Sequence, residues 1–348
     1  MVRISLVKNQ QHFLLLFILM LVLHQFYHHD VWEYMRSLPF AMFHYPLDID
    51  LLRLVSREVN NKGSHTVNPI NEVKYPFVLN PDTKCRNEDG ENENVFLLLL
   101  IKSRLENFEQ RRMIRRTWGL QTAIPYIEIR RLFLVGVNVQ DRALQHRIGL
   151  EHQDFDDILQ QFFNDHYFNN TLKMMMGLQW AVQHCPGAQF IAFFDDDYYV
   201  NIYNLVRVLQ TMKPTQYTNS IVSFVWKNSA VLRDKHLSDW ALSYDEYPYR
   251  YFPPYPTAGS FIMHMSAAER VHIATKYTKY LHLDDVFLGI IAWKLKINLQ
   301  HTNDLHYIPI PYSPLRYSRL LAVHGFSDVE MLYMVWKEQQ QLLQLKQR

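Results

Sequence analysis

Gln189-Phe190-Ile191-Ala192-Phe193-Phe194-Asp195-Asp196-Asp197-Tyr198-Tyr199-Val200-Asn201 is the stretch on which the fold turns. Its first six residues, apolar throughout after Gln189, have the length of a buried strand. Three consecutive acids close that run. In open α/β sheets, ligands bind outside the carboxyl ends of the strands, and the Asp triplet sits at such an end. Three adjacent carboxylates repel one another unless a cation lies among them. A hard divalent ion such as Mn²⁺ or Mg²⁺ suits them, because it prefers oxygen ligands and tolerates bound phosphate. The plainer alternative is a solvated acidic turn.

Outward from this stretch, the same pattern recurs. Residues 95–101 (VFLLLLI) and 132–137 (LFLVGV) are two more short apolar runs. Residues 108–118 are basic and helix-compatible, with Gly119 as a stop. Residues 170–184 place Leu172, Met175, Met176, Gln179 and Trp180 at helical spacing. Strands alternating with helical stretches predict an α/β domain with a mainly parallel sheet. Beyond the triplet, residues 247–256 form an aromatic, proline-rich loop leading into Thr257-Ala258-Gly259-Ser260. Helices are predicted from Asp284 to Lys294 and from Val329 onward.

Composition sets the frame. The chain has 348 residues, 48% of them hydrophobic and 20% charged, which indicates a mostly globular protein. Its 36 basic and 34 acidic residues leave a net charge of +2, so charge provides no argument for a nucleic-acid partner. Two cysteines, Cys85 and Cys185, exclude a disulfide-stapled scaffold and a Cys-based zinc site. One bridge and two free thiols are both open.

Residues 13–23 (FLLLFILMLVL) are unbroken apolar sequence preceded by Arg3 and Lys8. Extended to residues 12–27, the run spans about 24 Å as a helix, enough for one of the thinner cell membranes. No small-x-small cleavage site follows, which favours an uncleaved anchor over a signal peptide. The positive flank stays cytoplasmic. This predicts a cytoplasmic tail (1–12), a transmembrane signal-anchor (13–27), a lumenal stem (28–94), a catalytic domain (95–338) and a C-terminal tail (339–348). The sequon Asn169-Asn170-Thr171 fits a lumenal address, with Asn169 as the glycan acceptor.

Several side chains have chemistry to offer. Asp284-Asp285 opens a helix, where acids cap free N–H groups, or it supplies a general base. Arg111, Arg115 and Trp118 share one helical face; guanidinium groups suit phosphate oxygens, and the alternatives are a solvated basic face or pairing with the acids at 88–93. His324 and Lys173 are ordinary residues when considered alone.

Taken in order, the motifs are more specific. Arg111-Arg112-Met113-Ile114-Arg115-Arg116-Thr117-Trp118-Gly119, Asn169-Asn170-Thr171-Leu172-Lys173, Asp195-Asp196-Asp197, Tyr247-Pro248 with Pro253-Pro254-Tyr255 and Ala258-Gly259, Asp284-Asp285-Val286-Phe287-Leu288-Gly289, and His324-Gly325-Phe326-Ser327 with Trp336 together resemble the β-1,3-glycosyltransferases of glycosyltransferase family 31. Tyr198-Tyr199, Glu246-Tyr247-Pro248 and Thr257-Ala258-Gly259 resemble most an insect branch that transfers N-acetylglucosamine. The resemblance implies a Golgi type II membrane enzyme with a Rossmann-like GT-A fold. It also implies a UDP-sugar donor, Mn²⁺, inversion at the anomeric carbon and a β-1,3 bond to a glycolipid or glycoprotein glycan.

The resemblance also implies roles. Asp197 and His324 would ligate the metal, and Asp195 and Asp196 would shape the ribose and metal surroundings. Arg111, Arg115 and Lys173 would hold UDP. Asp285 would be the base, with Asp284 as its alternative, and Trp240, Tyr255, Gly259 and Asp284 would line the sugar sites. Pro256 and Thr302 stand where relatives carry Cys, so a family disulfide is absent. Ala258-Gly259-Ser260 replaces the Gly-Gly-Gly of many galactosyltransferases, which weakens a direct galactose assignment; the donor implied by the branch resemblance is UDP-GlcNAc, with UDP-Gal as the alternative. The competing readings are a metal-dependent hydrolase and a membrane-tethered glycan-binding protein without turnover.

Overall fold

The computed structural model describes residues 12, 15–24, 38, 49–60, 67–71 and 75–347. The chain divides into two units. One combines Met1–His44 with Ser229–Phe252, and the other combines Tyr45–Asn228 with Pro253–Arg348.

The larger unit is built on strands β1 (Phe77–Leu79), β2 (Leu97–Lys102), β3 (Ile129–Val137), β4 (Ile158–Asn164), β5 (Phe190–Asp195), β6 (Tyr198–Val200), β7 (Ser220–Trp226), β8 (Tyr255–His264), β9 (Asn298–His301), β10 (Leu305–His306) and β11 (Ala322–His324). Eight of them form one sheet in the order β1-β4-β3-β2-β5-β8-β7-β9. Its centre, β4-β3-β2-β5, is parallel. Helices Phe108–Arg116, Arg142–Phe155 and Asn170–His184 provide the three crossovers. Leu97 to Ile101 are fully buried, as a strand covered on both faces requires. Asp141 caps the middle crossover helix by accepting from the Leu144 N–H.

The sheet departs from the mainly parallel expectation on its flanks. β1 is antiparallel to β4, and β8 is antiparallel to both β5 and β7. Antiparallel neighbours need no helical crossover, and the β7–β8 connection contains none. A second sheet, β10-β11-β6, stands beside the first.

Part of the stretch assigned to a stem is folded onto this unit. Helix Leu51–Val59 buries Leu51, Leu54 and Val55, and β1 extends the main sheet. Cys85 and Cys185 are joined in a disulfide. It ties the polar loop before β2 to the end of helix Asn170–His184, where Trp180 also donates to Asn80. Helix Val329–Gln347 runs through the predicted C-terminal tail.

The smaller unit orders the aromatic loop around Arg233. Its guanidinium donates to the carbonyls of Leu242, Ser243, Tyr247 and Tyr249 and lies over the Tyr244 ring. Residues 15–24 are helical, with Leu15 to Leu23 exposed. Among the described residues, no helix is long and apolar enough to cross a membrane. Most of the cytoplasmic tail, the ends of the expected anchor and most of residues 28–48 lie outside the described residues.

Candidate active site

The sheet order places the site. From β2 the chain moves outward to β3 and β4, then returns to put β5 on the other side of β2. Such a reversal opens a crevice at the carboxyl ends of the two strands. Lys102, the last residue of β2, is the register partner of Asp195, the last residue of β5. A cleft of about 510 Å³ opens there, and all three members of the Asp triplet, Lys102, Ser103, Arg104, Asp165, Lys173 and His324 are among the residues that line it.

The three acids point to three different partners. Asp195 lies 3.1 Å from the Lys102 ammonium; burial pushes its carboxyl up to about 6 against the pull of that cation. Asp196 accepts from Ser103 Oγ at 2.6 Å and from Asn107 Nδ2 at 2.9 Å. Burial also raises its carboxyl, with those two donors opposing. Asp197 meets His324, with Oδ2 and Nε2 3.1 Å apart.

The second sheet delivers His324. β11 pairs antiparallel with β6, placing His324 opposite Tyr198. Gly325 follows at φ +98°, where its N–H and that of Phe326 both donate to the Asp197 carbonyl. A side chain at this left-handed position would be strained, and a Cβ would also meet Pro309. His324 is held above its ordinary basicity, first by its hydrogen bond to Asp197.

Asp197 and His324 fit a divalent ion. Asp197 Oδ1 is buried without a hydrogen-bond partner. Asp197 Oδ2 and His324 Nε2 face each other at 3.1 Å, and both would be free to hold an ion once the proton they share is released. Among the described residues, no group of three or more His, Cys, Asp or Glu is arranged to hold a metal ion.

Lys102 escaped the sequence reading, although its place at the end of an apolar run was visible. Its ammonium donates to Asp284 Oδ2 at 2.7 Å and to the Ala258 carbonyl at 2.9 Å. Burial works against this charge, but Asp195 and Asp284 outweigh it and hold the lysine well above its usual range. Asp284 is buried, whereas Asp285 beside it is only partly so. Burial and the Asp284 charge push the Asp285 carboxyl up to about 7.

Gly259 on β8 lies under the Tyr198 ring, where a Cβ would come within 2.6 Å of the hydroxyl. Tyr198 in turn packs edge-on against His324. Tyr255 begins β8, and its Cβ would lie 2.3 Å from a Cβ on Gly289. Trp240 belongs to the smaller unit and is 56% exposed.

Two expected UDP-holding residues are placed elsewhere. Arg111 is fully buried and pairs with Glu151 through Nε and NH2. Its remaining donors go to Ser103 Oγ and the carbonyls of Arg104 and Leu105. Arg115 bridges Glu151 and Asp157, and Arg131 also reaches Asp157. Arg111 therefore braces the loop after β2, Arg115 ties Glu151 to Asp157, and neither is among the residues that line the cleft. The sequence reading missed their partners because Glu151 and Asp157 lie some 40 residues away. Lys173 does line the cleft, held by Asp165 at 2.8 Å and the Ser103 carbonyl at 2.7 Å.

Asn169 closes the short helix Tyr167–Asn169. Its Nδ2 donates to the Asn164 carbonyl, and the sequon's Thr171 is fully buried with its hydroxyl on the Leu281 carbonyl.

Known proteins share this sequence. The galactosyltransferase family profile matches residues 109–303. A Drosophila melanogaster protein, Beta-1,3-galactosyltransferase brn, is 37% identical over 243 residues, covering 70% of this chain and 74% of its own. The chain belongs to the galactosyltransferase family. Beta-1,3-galactosyltransferase 1 of Homo sapiens is 32% identical over 288 residues, covering 82% and 84% of the two chains. As a member of that family the chain is an enzyme, a UDP-sugar-dependent β-1,3-glycosyltransferase. The family match spans the motif arginines, the Asp triplet and Asp284-Asp285, but ends before His324.

Proposed function

We propose that this galactosyltransferase-family member is an inverting, Mn²⁺-dependent β-1,3-hexosyltransferase with a GT-A fold. It transfers N-acetylglucosamine from UDP-GlcNAc to the 3-hydroxyl of a terminal sugar on a glycolipid or glycoprotein. The observation that carries this is the approach of Asp197 to His324 at the β2–β5 switch point. Asp197 and His324 would hold the ion, which when bound offsets charge on the departing UDP. Asp195, Asp196 and Lys173 surround the nucleotide end of the cleft. Asp285 takes the proton from the acceptor 3-hydroxyl as that oxygen attacks the anomeric carbon from the face opposite UDP. One base on the acceptor side is enough for a single displacement. Tyr255 and Gly259 contribute to the sugar sites.

UDP-Gal is the second reading, and the names of the relatives favour it. Ala258-Gly259-Ser260 in place of three glycines weakens it. A Golgi location behind an N-terminal anchor fits the apolar run at residues 13–23 and the Cys85–Cys185 disulfide, since such bonds persist in oxidising compartments.

A donor screen tests the whole reading. UDP-GlcNAc, UDP-Gal, UDP-GalNAc and UDP-Glc are offered with and without Mn²⁺, against β-mannoside and β-galactoside acceptors. UDP release that needs Mn²⁺, an acceptor and UDP-GlcNAc is expected. Release without an acceptor would indicate hydrolysis, and glycan binding without turnover a non-catalytic protein. Asp197→Ala should abolish the Mn²⁺ dependence of UDP binding in titration calorimetry; an unchanged metal response would reject Asp197 as a ligand.

A further inference from the structure

We infer that Lys102 is a positioning residue for sugar transfer, whose buried ammonium fastens the base-bearing start of helix Asp284–Leu295 to the end of β5 that carries the Asp triplet. The inference rests on the proposed roles of Asp285 and Asp197.

The side chain of Lys102 is 2% exposed. The ammonium donates to Asp284 Oδ2 at 2.7 Å and to Ala258 O at 2.9 Å, and it forms an ion pair with Asp195, whose Oδ1 lies 3.1 Å away. Two hydrogen bonds and two carboxylates hold the charge, so Lys102 is engaged by the framework. Its partners come from the first turn of a helix, the middle of β8 and the last residue of β5. β5 and β8 are already ladder neighbours, and Lys102 ties the start of the helix to both of them. The bridge joins the two ends of the proposed chemistry, since Asp285 follows Asp284 and Asp197 lies two residues beyond Asp195.

A buried ion pair keeps its geometry because separating it leaves an uncompensated charge in the interior. It therefore sets the distance between proton acceptor and nucleotide more firmly than a solvated contact would. Transfer is sensitive to that distance: a misplacement of about 1 Å costs on the order of 10²-fold in rate. Nucleotide binding, which needs only the β5 side of the bridge, is much less sensitive.

Lys102→Met and Lys102→Arg, made in the full chain, separate these effects. Turnover, donor KM, UDP–Mn²⁺ affinity by calorimetry and Tm are measured for each. Lys102→Met keeps the length but removes all three donors; kcat should fall by about 10²-fold with UDP affinity within about threefold of wild type. Lys102→Arg keeps the charge, but a planar guanidinium cannot reproduce these contacts. It should fold even where Lys102→Met does not, and still lose at least about tenfold in kcat, a fraction of the misplacement cost.

Full kcat in either folded variant would overturn the inference. So would a loss of UDP affinity as large as the loss of kcat, which would make Lys102 a donor-binding residue. Wild-type protein that binds no UDP with Mn²⁺ would instead overturn the proposed function, and this inference with it.

Discussion

Asp285→Asn should lower sugar transfer by at least about 10²-fold, the scale of a lost general base, while UDP and Mn²⁺ still bind. The amide keeps the shape of the carboxylate but cannot accept a proton. The sequence pointed to Asp285 as the base, with Asp284 as its alternative. In the structure Asp284 is buried and bonded to Lys102, whereas Asp285 is only partly buried. The same environment dictates a pH profile. A base works in its deprotonated form, and burial with the Asp284 charge pushes the Asp285 carboxyl up to about 7. Wild-type kcat/KM should therefore be flat above that pH and fall about tenfold per unit below it. Asp285→Asn should lack this acid limb. Full activity in Asp285→Asn, with Asp284→Asn inactive, would transfer the role to Asp284.

Arg111→Ala should destabilise the protein by about 3–5 kcal/mol, the usual cost of removing one partner from a buried ion pair. That lowers Tm by on the order of 10 °C for a domain of this size. The arginine is fully buried, and its loss leaves Glu151 inside the protein with Arg115 as its remaining partner. It also removes the donor to Ser103, the residue whose hydroxyl is bonded to Asp196. Thermal unfolding followed by circular dichroism measures the effect. A direct UDP-holding role predicts the opposite pattern, a raised donor KM with an unchanged Tm.

The difference between those two patterns marks how far sequence reaches. The apolar runs ending at Lys102 and Asp195, helix Asn170–His184 and the helix beginning at Asp284 were all legible. Their residues repeat with the period of the backbone that carries them, and that period is a local property. The placement of a ligand site at the end of β5 followed from the same local pattern. The order of motifs pointed to the family.

What local pattern does not contain is the partner of a buried charge. Arg111 and Arg115 look like phosphate-binding side chains until Glu151 and Asp157 arrive from other elements. Lys102 looks like the polar end of a strand until Asp284 arrives from 182 positions away. The resemblance named His324 as a metal-ligand candidate, but its approach to Asp197 exists only because β11 pairs with β6, and Cys85 finds Cys185 only because the segment before β2 folds against the last crossover helix before β5. Each of these pairings depends on strand order and packing. A charge enters the interior only with its counter-charge, so tertiary structure decides which of these groups face substrate and which hold the framework.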